Sequence, residues 1–218
     1  MTMPAALPPC QTGLSSWFQT GAGRLLIQFE YPFVFHVLRE RSSQPWLWFS
    51  VSTEVPSTSV LSGCGLHLIQ CDGGFKGDVR CLLPLPLPTE SVRVIVVQHV
   101  VSESVVEFFE ECARVLIPGG SLYLFALNPL SPYCLRWLRQ WPVVVGSERW
   151  CALLRNAGLH CRRPVRYLGP TWRLSGVPSD VIRAPWRAVC LLEADKRMVV
   201  PTGLIPARVG LRRPLLAF

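Results

Sequence analysis

The sequence lacks several features that would assign it to a well-defined class of protein. No apolar run approaches the ~18 residues of a membrane-spanning helix, and the longest candidates, VRVIVV and SLYLFAL, have the length of strands. The N-terminus, MTMPAALPPC, has no basic start followed by an apolar block, so no secretory signal is predicted. Charged residues make up 17% of the chain and hydrophobic residues 50%, which excludes a disordered protein and predicts a sizeable core.

Closely spaced cysteine pairs are also lacking. The chain has nine cysteines, and no two of them form the Cys-x-x-Cys spacing that structural zinc sites prefer. The nearest candidates are Cys64, Cys71 and Cys81, which are seven and ten residues apart, so the spacing does not favour a zinc site. Without an export signal, the cysteines are interpreted as reduced thiols of the core, and the protein is predicted to be cytoplasmic.

Acidic residues are missing from the C-terminal end of the chain. The net charge is +8, and residues 196–218 contain five basic side chains and no acid, while the other 195 residues carry only +3. A basic tail can bind nucleic acid or anionic lipid. Because no aromatic side chains for base stacking lie among its arginines, the favoured interpretation is a solvated chain end. RNA binding by the tail together with Arg162, Arg163 and Arg166 remains an alternative.

A helical pattern begins near Ser15, after a loose lead-in of proline and alanine over residues 1–14. Apolar side chains fall on one predicted face at Trp17, Leu25, Phe29, Phe33 and Val37. Pro32 interrupts this pattern and is expected to kink or split the helix, because proline has no N–H group to donate.

The middle of the chain contains the clearest architecture. VRVIVV (92–97) and SLYLFAL (121–127) are apolar runs typical of strands that are covered on both faces. Between them, Ser104 begins a capping box and a helix is predicted to follow, ending at the IPGG sequence. A strand, a helix and a strand in this short span predict two parallel neighbouring strands.

The remaining segments continue the alternation of strands and helices. They are the strands PWLWFSV (45–51) and LHLIQ (66–70), a short helix near Leu135, a helix in SERWCALLRNAGL (147–159) with Ser147 as N-cap and Gly158 as stop, and late strands in HCRRPVRYLG and RAVCLLEAD. The pattern predicts an α/β fold, with a doubly wound, mostly parallel sheet and helices on both faces. One domain is expected over residues 15–195, followed by the basic tail.

The stretch VLSGCGLHLIQCD (60–72) has the form of a nucleotide-binding turn between two strands. If Gly63-Cys64-Gly65 followed the first strand, only 20 residues would separate it from Leu85, which is too few for two helices and two strands. Residues 46–51 are therefore preferred as the first strand, and the glycines as the turn into the second. The nucleotide-loop interpretation stays open beside it.

A family resemblance is carried by PLPLPTESVRVIVVQHVV and FFEECARVLIPGGSLYLFALNP. These runs resemble the second half of class I S-adenosylmethionine-dependent methyltransferases, in which an E-x-x-R-V-L-x-P-G-G run precedes the fifth strand. Glu111 and Arg114 begin that run here. NPLSPYCLRWL and AVCLLEADKR resemble a compact, divergent bacterial branch of the methyltransferase type 11-like family. The resemblance implies a Rossmann-like fold that binds S-adenosylmethionine.

The resemblance also implies which residues would hold the cofactor. The family's acidic-x-Gly-x-Gly loop is missing after residues 46–51, so Ser50, Ser52 and Glu54 would have to replace its backbone donors. Asp72 stands where an acid binds the ribose hydroxyls at the end of the second strand.

Two further positions concern the adenine and the fourth strand. The residue beside the adenine is Cys81 in an ungapped match, or Asp78 if a short insertion is allowed. Arg93 stands where the family usually has an aspartate.

Candidate residues near the transferred methyl group follow the fourth and fifth strands. They are Gln98, His99 and Asn128; His99 is the candidate base, although a residue that only packs under the crossover helix is the alternative. Asn128 precedes a proline and is more typical of a turn. Two other functions stay open beside an active methyltransferase, namely a catalytically silent binding or regulatory protein and an RNA methyltransferase. The methyl acceptor and the oligomeric state are not indicated.

Overall fold

The computed structural model describes residues 17–41, 43–52, 64–71, 74–99, 104–137, 145–162, 164–171 and 185–197. Their helices are α1 (Gly21–Glu40), α2 (Val105–Val115), α3 (Pro132–Trp137) and α4 (Ser147–Asn156). Their strands are β1 (Trp46–Ser50), β2 (Gly65–Cys71), β3 (Gly74–Gly77), β4 (Val92–Gln98), β5 (Leu116–Leu127), β6 (Leu159–Cys161), β7 (Arg166–Leu168) and β8 (Val189–Lys196).

All eight of these strands belong to one mixed sheet in the order β3-β2-β1-β4-β5-β8-β6, and β7 pairs with β8. The four central strands, β2, β1, β4 and β5, are parallel to one another. Strand β3 runs antiparallel to β2, and β8 runs antiparallel to both β5 and β6. The predicted α/β fold is confirmed, with a parallel centre and antiparallel edges.

The predicted strand–helix–strand unit is present in the centre of the sheet. Strands β4 and β5 are parallel neighbours, in a register that pairs Val94 with Ser121 and Gln98 with Phe125. Strand β5 is longer than predicted, because it begins at Leu116 directly after α2 and contains the IPGG sequence. Ser104 is the N-cap of α2, as predicted, but the capping box is wrong in that the Ser104 side chain makes no cap hydrogen bond.

Helix α1 differs from its prediction in two respects. It continues through Pro32, whose side of the helix is exposed, so the carbonyl that loses its N–H partner lies where water can reach it. Its buried face is also displaced from the predicted one, since Leu25, Phe29 and Phe33 are only partly buried. The side chains that pack inward are those of Ala22, Leu26, Ile27, Glu30, Tyr31, Val34, Val37 and Leu38.

The helices cover both faces of the sheet, as predicted. On one face, Tyr31 and Phe35 of α1 make edge contacts with the ring of Trp48 in β1. On the opposite face, Phe108 of α2 packs edge-on against Phe49, the next residue of β1. Successive side chains of a strand point to opposite faces, so β1 is buried on both sides and contains only apolar residues up to Ser50.

The late segments follow the predicted order with shifted boundaries. Helix α4 begins at Ser147, and its N-cap is Gly146, which replaces the predicted Ser147. Gly158 follows the helix with φ +84°, a left-handed conformation that favours glycine, which explains why the helix stops there. HCRRPVRYLG, predicted as one strand, is divided into β6 and β7.

Gly65 of the Gly-x-Gly stretch is the first residue of β2, as the preferred interpretation predicted. A Cβ atom at this position would lie 1.9 Å from Cε2 of Trp46, so the glycine makes room for the indole ring of the neighbouring strand. The backbone N–H of Trp46 also donates to the carbonyl of Cys64 at 3.2 Å. Gly65 therefore serves strand packing.

Candidate functional site at the switch point of the sheet

The strand order reverses between β1 and β4, because the chain goes from β1 outward to β2 and returns to place β4 on the other side of β1. In open α/β sheets, ligands bind in the crevice at the carboxyl ends of the strands at such a switch point. The register pairs Phe49 with Val97, which brings Ser50 and Gln98 to the same level at this edge. Four predicted site residues, Ser50, Ser52, Gln98 and His99, therefore meet here.

A buried cluster of three polar side chains lies beneath the end of β4. The carboxylate of Glu30, on α1, accepts a hydrogen bond from Nε2 of Gln98 at 2.6 Å through Oε2. Its other oxygen, Oε1, lies 2.6 Å from Nε2 of His99. The Glu30 and Gln98 residues are fully buried and His99 is 4% exposed, so the cluster is shielded from solvent.

The position of His99 is fixed from several sides. Its backbone N–H donates to the carbonyl of Phe125 in β5 at 3.1 Å, which extends the sheet by one residue. Its φ is +53°, in the left-handed region that non-glycine residues seldom adopt and that is often found at functional sites. Phe18 stacks on its imidazole ring. His99 is therefore held in a single arrangement at the end of β4.

Gln98 has one polar atom without a partner. Its Oε1 atom is buried and makes no hydrogen bond within the part of the chain that the structure describes. Exchanging the amide oxygen and nitrogen would place Oε1 against the Glu30 carboxylate, so the assigned orientation is the favourable one. A buried carbonyl without a donor costs free energy, so Oε1 of Gln98 is an acceptor that no described residue satisfies.

A second buried pair lies at the end of β1. The Ser50 hydroxyl is 2.8 Å from Nε2 of His67 and also donates to the carbonyl of Ser52 at 3.2 Å. Burial lowers the pKa of His67, and the nearby Asp78 carboxylate offsets part of this effect. The Ser50 hydroxyl therefore has one partner as a hydrogen-bond donor and another as an acceptor, and both partners are residues of the chain.

The two candidates for the adenine position are in different places. Asp78 accepts the backbone N–H of His67 at 2.7 Å, beside the first half of β2 and away from the strand ends. Cys81 pairs with Phe75 of β3, which faces Gln70 near the end of β2. Burial raises the pKa of the Cys81 thiol, and the neighbouring Cys71 raises it further.

The four other residues that the sequence singled out are Glu54, Asp72, Arg93 and Asn128. Glu54 and Asp72 lie outside the described residues. Arg93 is near the start of β4, whereas the switch-point site lies at the carboxyl ends of the strands. Asn128 organises the loop after β5, since its amide donates to the carbonyls of Pro185 and Arg187 and its oxygen accepts from Leu130.

The E-x-x-R part of the family motif has a structural role here. Arg114 donates to the carbonyls of Leu85 and Leu87, and to Glu111, whose carboxylate in turn accepts the backbone N–H of Leu85. The pair thus fastens α2 to the proline-rich segment before β4. The hydrogen bonds from Arg114 lower the pKa of Glu111.

Glu30 was missed by the sequence analysis, although the sequence contains a signal for it. The residue lies four positions after Leu26 and four before Val34, so it falls within the apolar face of α1. The predicted face, through Leu25, Phe29 and Phe33, lies one residue away and does not include Glu30. An acid centred on the buried stripe of a helix is a candidate functional residue.

The arginines that suggested RNA binding have acidic partners. Arg162 pairs with Asp195 of β8, and Arg166 pairs with Glu193 of the same strand. The guanidinium of Arg166 also lies 5.0 Å from the centre of the Phe33 ring. Arg163 lies outside the described residues. The described arginines of this region are therefore neutralised by the sheet.

Residues 74–124, which include β3, β4, α2 and the first part of β5, match the family of the methyltransferase domain. The matched segment covers less than half of the chain. The strand order and the switch-point crevice agree with this similarity to a methyltransferase domain. No curated protein sequence matches the chain.

Solved methyltransferase structures share the fold at low sequence identity. A methyltransferase from Thermotoga maritima is 15% identical with a TM-score of 0.50, over 84% of this chain and 99% of the other. One from Mesorhizobium loti is also 15% identical with a TM-score of 0.50, over 76% of this chain and 97% of the other. The structural similarity therefore covers more of the chain than the family match does.

None of the described helices is long and apolar enough to cross a membrane. No group of three metal-ligating side chains occurs among the described residues.

Proposed function

We propose that this chain is an active S-adenosylmethionine-dependent methyltransferase that holds its cofactor at the switch point between β1 and β4. The observation that carries the proposal is the cluster of Glu30, Gln98 and His99, which places polar groups at the one edge where the fold binds ligands. The bound cofactor supplies a methyl group on a sulfonium, which a nucleophile takes as the carbon–sulfur bond breaks and its electron pair moves to sulfur.

The residues at this edge fit such a ligand. The ribose hydroxyls and the amino group of the cofactor are hydrogen-bond donors, and the unpaired Oε1 of Gln98 is a buried acceptor. Ser52 is buried at the end of β1, where its backbone would replace the donors of the missing glycine loop. Asp72 for the ribose, Glu54 for the loop and Cys81 for the adenine remain part of the proposal.

Calorimetry with S-adenosylhomocysteine tests the proposal. We expect saturable binding to the wild type, and weaker binding to Asp72→Ala and Gln98→Leu. Asp195→Ala is the matched control, because its carboxylate accepts from Ser121, near the opposite end of the parallel strands; its binding should equal that of the wild type. If the wild type produced no heat at millimolar ligand, the chain would be a catalytically silent member of the fold.

The proposal includes the wider predictions made from the sequence. One catalytic domain over residues 15–195, a bacterial origin and a cytoplasmic location all remain proposals. The cytoplasmic location is supported by the eight described cysteines, which are all free thiols. RNA as the acceptor is not favoured, because Arg162 and Arg166 are already paired with acids.

A further inference from the structure

The hydrogen bonds of Glu30 determine where His99 carries its proton. Gln98 directs an amide nitrogen, which only donates, at Oε2 of Glu30, and His99 directs Nε2 at Oε1. An ionised carboxylate accepts hydrogen bonds and donates none. The short contact with His99 is therefore satisfied when Nε2 carries the hydrogen, and the neutral imidazole then has its lone pair on Nδ1.

The remaining nitrogen is available for chemistry. Nδ1 of His99 makes no hydrogen bond with any residue that the structure describes. The ring cannot turn freely, because Phe18 stacks on one side of it and the backbone is bound to Phe125. A buried imidazole that is fixed at one nitrogen by a carboxylate presents the other nitrogen as a proton acceptor.

We propose that Glu30 is a positioning residue that holds His99 as the Nε2–H tautomer, so that Nδ1 accepts the proton lost by the methyl acceptor. This inference rests on the proposed function. The acceptor is then a nucleophile with an N–H or O–H group. Its lone pair forms the bond to the methyl carbon, and its proton moves to Nδ1. The resulting imidazolium is stabilised by the Glu30 carboxylate, which is 2.6 Å from Nε2.

Nuclear magnetic resonance of isotope-labelled imidazole nitrogens tests the tautomer directly. The chain has four histidines, and His99→Gln assigns the signals of His99 by their disappearance. When the ring is neutral, we expect the wild-type His99 to carry its hydrogen on Nε2. A neutral ring with its hydrogen on Nδ1 would overturn the proposal.

The role of Glu30 is tested by removing its acceptor atoms. In Glu30→Leu, His99 should change to a mixture of tautomers, because no carboxylate selects one. Glu30→Gln keeps a carbonyl that accepts from Nε2, so it should retain the tautomer and provide a readout if the leucine variant does not fold. An unchanged His99 spectrum in a folded Glu30→Leu protein would contradict the assignment.

The same helix contains a matched control. Glu40 lies 3.3 Å from Nε2 of His36, four residues earlier, but both side chains are more than half exposed. Glu40→Leu should leave the signals of His99 unchanged.

Methyl transfer to a panel of amines and alcohols provides the functional readout. Glu30→Leu should reduce kcat by about 10²-fold or more at saturating cofactor. Separate arms with amines and with alcohols distinguish an N–H from an O–H acceptor. Wild-type protein that binds S-adenosylhomocysteine but has its hydrogen on Nδ1 would remove this inference alone. Protein with the expected tautomer that binds no cofactor would remove the proposed function.

Discussion

Phe18 stacks on the imidazole of His99, with ring centroids 4.6 Å apart and planes inclined by 28°. Phe18 precedes α1 and is fully buried, so it closes the cluster of Glu30, Gln98 and His99 on the side of the N-terminal segment. Phe18 therefore contributes both to the stability of the fold and to the environment of the candidate base, His99.

Replacing Phe18 should therefore change both stability and the spectrum of His99. We expect Phe18→Ala to reduce the free energy of unfolding by about 3 to 5 kcal/mol, as is typical for a buried phenylalanine. The ring protons of His99 should move downfield, because the shielding by the stacked ring is lost. The control is Phe109→Leu on the opposite face of the sheet, which should leave the His99 protons in place. Unmoved His99 protons in Phe18→Ala would contradict the stacking.

Gly65→Ala should destabilise the protein. Its Cβ would lie 1.9 Å from the indole of Trp46, and relieving the overlap should cost about 1 to 3 kcal/mol in urea unfolding. Gly21→Ala is the control, because no atom lies within 4 Å of a Cβ at that position; it should be neutral or slightly stabilising. Adding Trp46→Leu to Gly65→Ala should cost less than the two separate changes combined. Strict additivity would show that the indole is not the obstacle.

Stability should decrease on mild acidification because of His67. Burial lowers its pKa below the ordinary value of 6.5, so the folded protein binds fewer protons than the unfolded chain in this range. Its contribution is complete above about pH 6.5 and is lost as the pH falls from there toward the lower folded value. Each unit of lowering is worth about 1.4 kcal/mol. Urea unfolding at several pH values measures the slope.

A flatter pH dependence is expected for His67→Gln, which has no titrating ring. His36→Gln should keep the wild-type slope, because His36 lies on the exposed face of α1. If His67→Gln had the same slope as the wild type, the buried pair with Ser50 would not be responsible for the acid sensitivity.

Cys151 and Cys161 should form a disulfide when the protein is treated with hydrogen peroxide. Their Sγ atoms are 2.7 Å apart, between α4 and β6. Two thiols would lose two protons and two electrons to peroxide, which yields the disulfide and two molecules of water. Peptide mapping under non-reducing conditions should detect this pair, and Cys151→Ser should abolish it.

Other thiols provide an internal comparison for this oxidation. Burial raises the pKa of Cys134 and Cys190 to about 12, so their reactive thiolate forms are scarce at neutral pH and both should remain reduced. Cross-linking of Cys134 to Cys190 before Cys151 reacts would be inconsistent with this prediction.

Much of the architecture could be predicted because each central element has an unambiguous pattern. VRVIVV has the continuous β-branched character of a strand buried on two faces, and the helical spacing of α2 is regular. The prediction for α1 was less accurate, since aromatic residues occur on two adjacent stripes and the predicted stripe is the partly buried one. Only tertiary packing against Trp48 decides between them.

The candidate site was predicted only in part, for a related reason. Gln98 and His99 could be identified because they directly follow a strand whose end is a ligand-binding position in this fold. Glu30 is 68 residues from Gln98 in the sequence, and no local pattern connects them. The hairpin of β2 and β3 was also not predicted. An antiparallel neighbour needs only a short turn, whereas a parallel neighbour needs a crossover connection.

The ammonium of Lys196, the last residue of β8, donates to the carbonyls of Ala113 and Leu116 at the junction of α2 and β5. The chain therefore leaves the sheet at the end where the parallel strands begin. The seven residues of β4 separate that departure point from His99 by roughly 23 Å, at ~3.3 Å per residue. The basic C-terminal residues would need at least seven extended positions to reach His99, so a truncation just after Arg197 tests whether they contribute to the candidate site.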